Sequence, residues 1–391
     1  MEYNFDKIIN RMNTNSIKYD FAQEYGFPKD VIPLWVADMD FQTTYDVIKK
    51  LIAVSKHGIF GYSDVKDDYY FVVQNWFRKR FKFKPAKQDF ILSPGVVFAI
   101  ACAVRAFTKE KENVLIQTPV YHPFHAVVKS NNRTLVKNSL VLCKDKYEID
   151  FKNFEKQIIE NKVKLFILCS PHNPVGRVWT KDELIKIGSI CFEHKVVVIS
   201  DEIHCDFVYK SYKHTVFASL GKNFLNNSIV CTAPSKSFNL AGLQTSNIFV
   251  ANPILKAALK KEFVKTGFEQ LNTMGLAACQ TAYEKGEEYI NQLNSYLEKN
   301  LDFVRQFLKK NIPEIKLIEP QGTYLLWLDF NTLKLSPKKF RELTVDKAKL
   351  WLSPGQTFGL EGKGFFRMNI ACPISTIKKA LASLKKAVFE K

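Results

Sequence analysis

The stretch KVVVISDEIHCDF (195–207) runs from an unbroken β-branched segment straight into two carboxylates and a histidine. A short strand that is apolar on both faces belongs inside a parallel sheet covered by helices on either side. The polar residues then stand at its carboxyl end, where sheets of this kind bind their ligands.

The pattern recurs along the chain. NVLIQTP (113–119), KLFILCSP (164–171), SIVCTAPS (228–235) and NIFVAN (247–252) read as further buried strands. Amphipathic stretches lie between them. In TKDELIKIGSICFEH (180–194), Thr180 and Glu183 have the spacing of a capping box. This alternation predicts an α/β fold with a mostly parallel sheet layered by helices. The tail differs. EEYINQLNSYLEKNLDFVRQFLKKN (287–311) reads as a long amphipathic helix, GTYLLWLDF (322–330) and GFFRMNIACP (364–373) as strands, and STIKKALASLKKAVF (375–389) as a closing helix. We expect a large domain over 46–286 and a smaller α+β domain built from 1–45 and 287–391.

Bulk properties narrow the class. The chain has 391 residues, and no apolar run reaches the roughly 18 residues of a membrane span. The N-terminus, MEYNFDKIINRMN, lacks an apolar signal-peptide core. A cytoplasmic protein away from the membrane is expected. The eight cysteines form no CxxC pair, so they read as reduced core residues rather than a metal centre. A formal charge of +18 raises the question of nucleic acid, but the lysines are spread along the whole chain. Attraction of small anions is the milder reading, and no nucleic-acid partner is expected.

Four strand ends carry unusual chemistry: TPVYHPF (118–124), SPHNPVGRV (170–178), DEIHCDF (201–207) and SKSFN (235–239). They bring Tyr121, Asn173, Asp201, His204 and Lys236 to one sheet edge. Upstream, SPGVVFAIACAVRAF (93–107) reads as a turn and a helix whose first N–H groups, at Gly95, Val96 and Val97, can bind phosphate. Singly, each residue has an ordinary reading. Lys236 suits a snorkelling surface lysine, Asp201 a helix cap, Asn173 a turn and His204 a core histidine. Together they suit pyridoxal 5'-phosphate, which needs a lysine for its Schiff base and a carboxylate on its pyridinium nitrogen. Asn173 would then donate to the ring hydroxyl, and Tyr121 would stack on the ring.

SPHNPVGRV, SDEIH and APSKSFN, in this order and spacing, resemble the fold-type-I pyridoxal-phosphate enzymes of the class I/II aminotransferase family. LWVADMDF (34–41), GIFGYSD (58–64), SPGVV, TPVYHPF and FFRMNIACP resemble its cystathionine β-lyase branch of C–S lyases. The resemblance spans roughly residues 30 to 385. It implies that Lys236 is the Schiff-base lysine and Asp201 the pyridinium partner. It implies Asn173 and Tyr121 at the ring, with His204 where many relatives have a tyrosine. Tyr62 would reach the phosphate from a second subunit, which implies a homodimer with its sites at the subunit interface. Arg367 would bind the α-carboxylate of an amino-acid substrate, and Ala37 would join the substrate contacts. One position departs. Gln244 stands where relatives often place a phosphate-binding arginine, so the phosphate must rely on Gly95–Val97, Ser235 and Tyr62.

The resemblance favours α,β-elimination from cystathionine or cysteine-like thioethers, giving a thiol, pyruvate and ammonia. Trp35, Tyr62, Tyr121 and Tyr324 offer an aromatic setting for the thioether. Transamination of aromatic or broad amino acids uses the same residues and is the alternative. A regulatory protein built on the same scaffold would be marked by loss of Lys236 or Asp201, and both are present.

Overall fold

A computed structural model describes residues 2–389. The central sheet has seven strands: β1 (Phe90–Ser93), β2 (Asn113–Thr118), β3 (Thr134–Ser139), β4 (Leu165–Cys169), β5 (Val197–Asp201), β6 (Ser228–Thr232) and β7 (Ser246–Phe249). Their spatial order is β1-β7-β6-β5-β4-β2-β3. Neighbours from β3 through β6 are parallel, while β7 runs antiparallel to both β6 and β1. The expectation that NIFVAN joins as another parallel strand is therefore corrected. A strand buried on both faces shows the same apolar run in either direction.

Side chains alternate across the sheet, as the two-residue strand period requires. Val114, Ile116, Ile167, Ile199 and Ile229 meet Ala99, Ile100 and Ala103 of the helix Val96–Phe107 on one face. Leu115, Phe166, Leu168 and Val198 meet Phe154, Leu184 and Ile187 on the other. All of these residues are fully or almost fully buried. Truncating one such isoleucine to alanine costs about 2–5 kcal/mol. The Thr180–Glu183 capping box forms as read: the Glu183 N–H donates to Thr180 Oγ1 at 3.2 Å, and the Thr180 N–H donates to Glu183 Oε2 at 2.8 Å.

A second, antiparallel sheet follows the long helix Glu287–Asn311. It contains β8 (Lys316–Ile318), β9 (Leu325–Asp329), β10 (Ser353–Pro354) and β11 (Phe365–Asn369), in the order β8-β9-β11-β10. β11 is thus an interior strand, and Arg367 sits between Trp327 and Ser353 in register. The N-terminal residues Ile32–Pro33 pair with Leu350–Trp351 beside this sheet. Among the described residues, no helix is long and apolar enough to cross a membrane. Seven of the eight free cysteines are buried; Cys143 is the exposed one.

Candidate active site

Register builds the site. Cys169, Asp201 and Cys231 are paired neighbours at the ends of β4, β5 and β6. Beyond β6 the chain turns at once into a single helical turn, Pro234–Ser237, started by a proline and carrying Lys236. The apolar run ends at Thr232, so Lys236 lies on this turn and not on the mouth of the strand itself. Opposite, Gly95 caps the helix Val96–Phe107, whose first N–H groups have no acceptor within the helix.

A cavity of about 190 Å³ opens between these elements. Its walls include Gly95, Val96, Val97, Tyr121, Asn173, Asp201, His204, Ser235, Lys236 and Ala37. Every expected cofactor-side residue of the sheet edge is therefore brought together. The Tyr121 N–H donates to the Asn173 carbonyl at 3.0 Å, which locks these two strand ends to each other. Gln244 also reaches the cavity, beside Thr245 and Ser246. The two hydroxyl residues were not singled out in the sequence, where they pass for the polar start of a strand.

Two expected residues lie elsewhere. Tyr62 is 100% exposed and borders a surface depression with Gly267–Met274, away from the cavity of its own chain. Arg367 is buried just behind the cavity. Its Nη1 donates to Asn173 Oδ1 at 3.1 Å and its Nη2 to the Trp35 carbonyl at 2.7 Å, while Nε has no partner. One chain assembles only part of the expected aromatic setting. Trp35 stacks on Trp351 at 4.3 Å and packs against Tyr25, so its ring belongs to an aromatic stack near the second sheet. Of the four aromatics, only Tyr121 lines the cavity. Tyr324 lies edge-on to His204, with ring centroids 5.8 Å apart.

Burial sets the electrostatics. Lys236 keeps some surface open to the cavity but is walled off from bulk water. That desolvation lowers its pKa to about 8, against the pull of Asp38, with Arg367 lowering it further and Asp201 opposing. Asp201 is pushed up to about 7, chiefly by burial, although it accepts the Ile203 N–H. Burial also holds His204 neutral, well below its usual range, with Lys236 and Arg367 acting in the same sense. Arg367 falls to about 10 through desolvation and remains a cation at neutral pH.

This is a site with a partly neutralised lysine, a desolvated carboxylate and a neutral imidazole around one cavity. The profile of class I and II aminotransferases matches residues 29–384. The chain belongs to that family. Within the family it is 39% identical to cystathionine β-lyase PatB of Bacillus subtilis over 385 residues, covering 98% of this chain and 100% of PatB. It is 30% identical to the protein MalY of Escherichia coli, over 99% of each chain. Among solved structures, cystalysin from Treponema denticola, which contains a pyridoxal 5'-phosphate cofactor, superposes with a TM-score of 0.96. That pair is 37% identical, with 99% of both chains covered. The family likeness thus extends over both sheets and includes the N-terminal segment.

Proposed function

We propose that the protein is a pyridoxal-phosphate-dependent C–S lyase. It cleaves cysteine-type thioethers, cystathionine among them, by α,β-elimination to a thiol (homocysteine or sulfide), pyruvate and ammonia. The carrying observation is the convergence of Lys236, Asp201, Asn173 and Tyr121 on one cavity, with Arg367 hydrogen-bonded to Asn173 behind it. The name of cystathionine β-lyase PatB supports the lyase reading, and the cofactor of cystalysin supports pyridoxal phosphate.

The residues fit the cofactor on two grounds. Gly95 has extended backbone that any residue adopts, and a Cβ there would meet nothing within 4 Å. Its missing side chain leaves room at the helix N-terminus, the place for a phosphate. His204 Nδ1 and Arg367 Nε are buried and lack partners, so polar capacity remains for a ligand.

Bound there, pyridoxal phosphate would supply a protonated aromatic ring that takes up the electron pair freed at the substrate α-carbon. Asp201 would hold the proton on the ring nitrogen, because a desolvated carboxylate gains most from a cationic N–H partner. Asn173 and His204 would face the ring hydroxyl, and Tyr121 the ring face. Gly95, Val96, Val97 and Ser235 would hold the phosphate with neutral donors. Arg367 would orient the substrate α-carboxylate, for which its planar fork is well shaped. Lys236, its pKa lowered to about 8 so that the neutral amine is within reach, would take the α-proton. The exposed Tyr62 would serve the site of a second copy, so the working unit would be a homodimer.

The test is pyruvate release from L-cystathionine by cofactor-loaded protein with no keto acid added. Sustained turnover is the expected result. A single round that consumes the cofactor's aldehyde and stops would instead assign transamination.

A further inference from the structure

The segment Trp35–Phe41 crosses the site as a row of backbone acceptors. The Ala37 carbonyl receives Lys236 Nζ at 2.7 Å and the Tyr324 hydroxyl at 2.9 Å. Asn369 Nδ2 donates to the Val36 and Asp38 carbonyls, each at 2.6 Å. Asn239 bonds both backbone groups of Met39. This backbone therefore holds Lys236 in place from one side.

Behind it stands a cluster of two carboxylates and two cations. Asp40 is saturated: it accepts Arg11 Nη1 at 2.7 Å, Lys18 Nζ at 2.9 Å and the Tyr19 hydroxyl at 2.9 Å. Asp38 is not. Its Oδ2 accepts Arg11 Nη2 at 2.6 Å, while its buried Oδ1 receives no hydrogen bond and has Lys18 Nζ 3.5 Å away. Lys18 and Asp40 are buried, while Arg11 and Asp38 are each about one-fifth exposed, so water screens this cluster only in part. Asp38 stands next in sequence to the carbonyl that holds Lys236, and its Oδ1 is offset by Lys18 at ion-pair distance without a hydrogen bond, so its charge acts on the lysine nitrogen.

The other groups around Lys236 are Asp201, Arg367, the neutral His204, and the phenols Tyr121 and Tyr324. Asp201 and Arg367 act on the lysine nitrogen with opposite signs. We propose that Asp38 is a positioning residue that sets the charge state of Lys236, and that Arg11 sets how much of the Asp38 charge the lysine feels. The pair gives the N-terminal segment a role in catalysis without contact with substrate. A lysine that must both carry a proton and surrender one works best when neither state is strongly favoured. Asp38 offsets part of the desolvation and the Arg367 charge, and Arg11 limits that correction.

This inference rests on Lys236 being the cofactor-linked lysine. The experiment follows the visible absorbance of the holoenzyme between about pH 6 and 10, in wild type, Asp38→Asn, Arg11→Gln and Lys236→Ala. Asp38→Asn is expected to lower the midpoint and Arg11→Gln to raise it, each by about half a pH unit or more. Opposite signs are the signature, since a merely structural loss would not move the midpoint up for one variant and down for the other. Midpoints that stay at the wild-type value, or move together, overturn the inference. If Asp38→Asn does not fold, an unmoved midpoint in Arg11→Gln is enough to overturn it. A transition that persists in Lys236→Ala overturns the underlying assignment of the lysine instead.

Discussion

Arg367 donates through Nη1 to the side-chain oxygen of Asn173 at 3.1 Å, joining an interior strand of the second sheet to a strand end of the first. A charged donor gives this bond more weight than a neutral pair would have. The guanidinium also lies over the Phe358 ring at 4.8 Å, so its orientation is fixed from two sides.

Arg367→Ala is expected to raise KM for L-cystathionine about 10- to 100-fold, the loss of one or two charge-assisted hydrogen bonds. Asn173→Ala should raise the same KM severalfold, because the arginine loses its brace. Steady-state kinetics of both variants check this, and an unchanged KM in Arg367→Ala would place the carboxylate elsewhere.

Lys236→Ala should abolish both turnover and the visible absorbance of the lysine-linked cofactor. Absorbance spectra and a pyruvate assay on the same sample check it. A variant that still turns over would sink the assignment of the lysine.

Gly95→Val should weaken cofactor retention about tenfold or more while leaving the melting temperature of the cofactor-free protein near wild type. The added Cβ meets no protein atom within 4 Å, and the valine methyls project into the room beside the helix N-terminus. Equilibrium dialysis against pyridoxal phosphate, paired with thermal melts, separates the two effects. A drop in melting temperature with unchanged retention would contradict the phosphate placement.

Asp201 yields a pH-dependent stability prediction for the cofactor-free protein. Its folded pKa, raised to about 7 chiefly by burial, exceeds the ordinary carboxylate value of 3.8. The folded state therefore favours the proton. The relative stabilisation is full below the unfolded pKa and is lost as pH rises from there through about 7. Above that range, holding the ionised group inside costs on the order of 4 kcal/mol. Asp201→Asn should accordingly raise the melting temperature more near pH 8 than near pH 5, yet retain the cofactor less well. Equal gains at both pH values would show that burial does not strain this carboxylate.

Exposed Tyr62 gives a test of subunit sharing. Tyr62→Ala and Lys236→Ala proteins, each impaired alone, should recover part of the activity when mixed and allowed to exchange subunits. Random pairing of the two chains sets the ceiling, because one hybrid site then carries both intact residues. Failure to recover would place Tyr62 outside the neighbouring site.

Much of this site could be read from the sequence because strand ends announce themselves. VVVIS followed by Asp201, and LFILC followed by the turn with Asn173, show apolar runs breaking into polar groups at the ligand-binding edge. The direction of β7 was not readable, since burial on both faces erases the difference between parallel and antiparallel neighbours. The sequence places Ala37 at the site but hides its bond to Lys236, because the acceptor is a backbone carbonyl that any residue would supply. The place of Trp35 is hidden in the sequence for another reason. Aromatic residues look alike on paper, and only the fold shows that its ring stacks on Trp351 while its carbonyl serves Arg367. The Arg11–Asp38 pair escaped because nothing in local periodicity links a loop cation to a carboxylate 27 positions away.

The Trp35–Phe41 segment has a kinetic meaning as well. Ala37 meets Lys236 across 199 residues of chain, and Trp35 meets Arg367 across 332. Contacts this remote in sequence close late and slowly, after local helices and neighbouring strands have formed. A growing chain would therefore hold a nearly complete central sheet and still lack the Arg367 and Asn369 bonds to this segment until the final strand emerged. The clamp between the two sheets across this segment would then be among the last parts of the molecule to close.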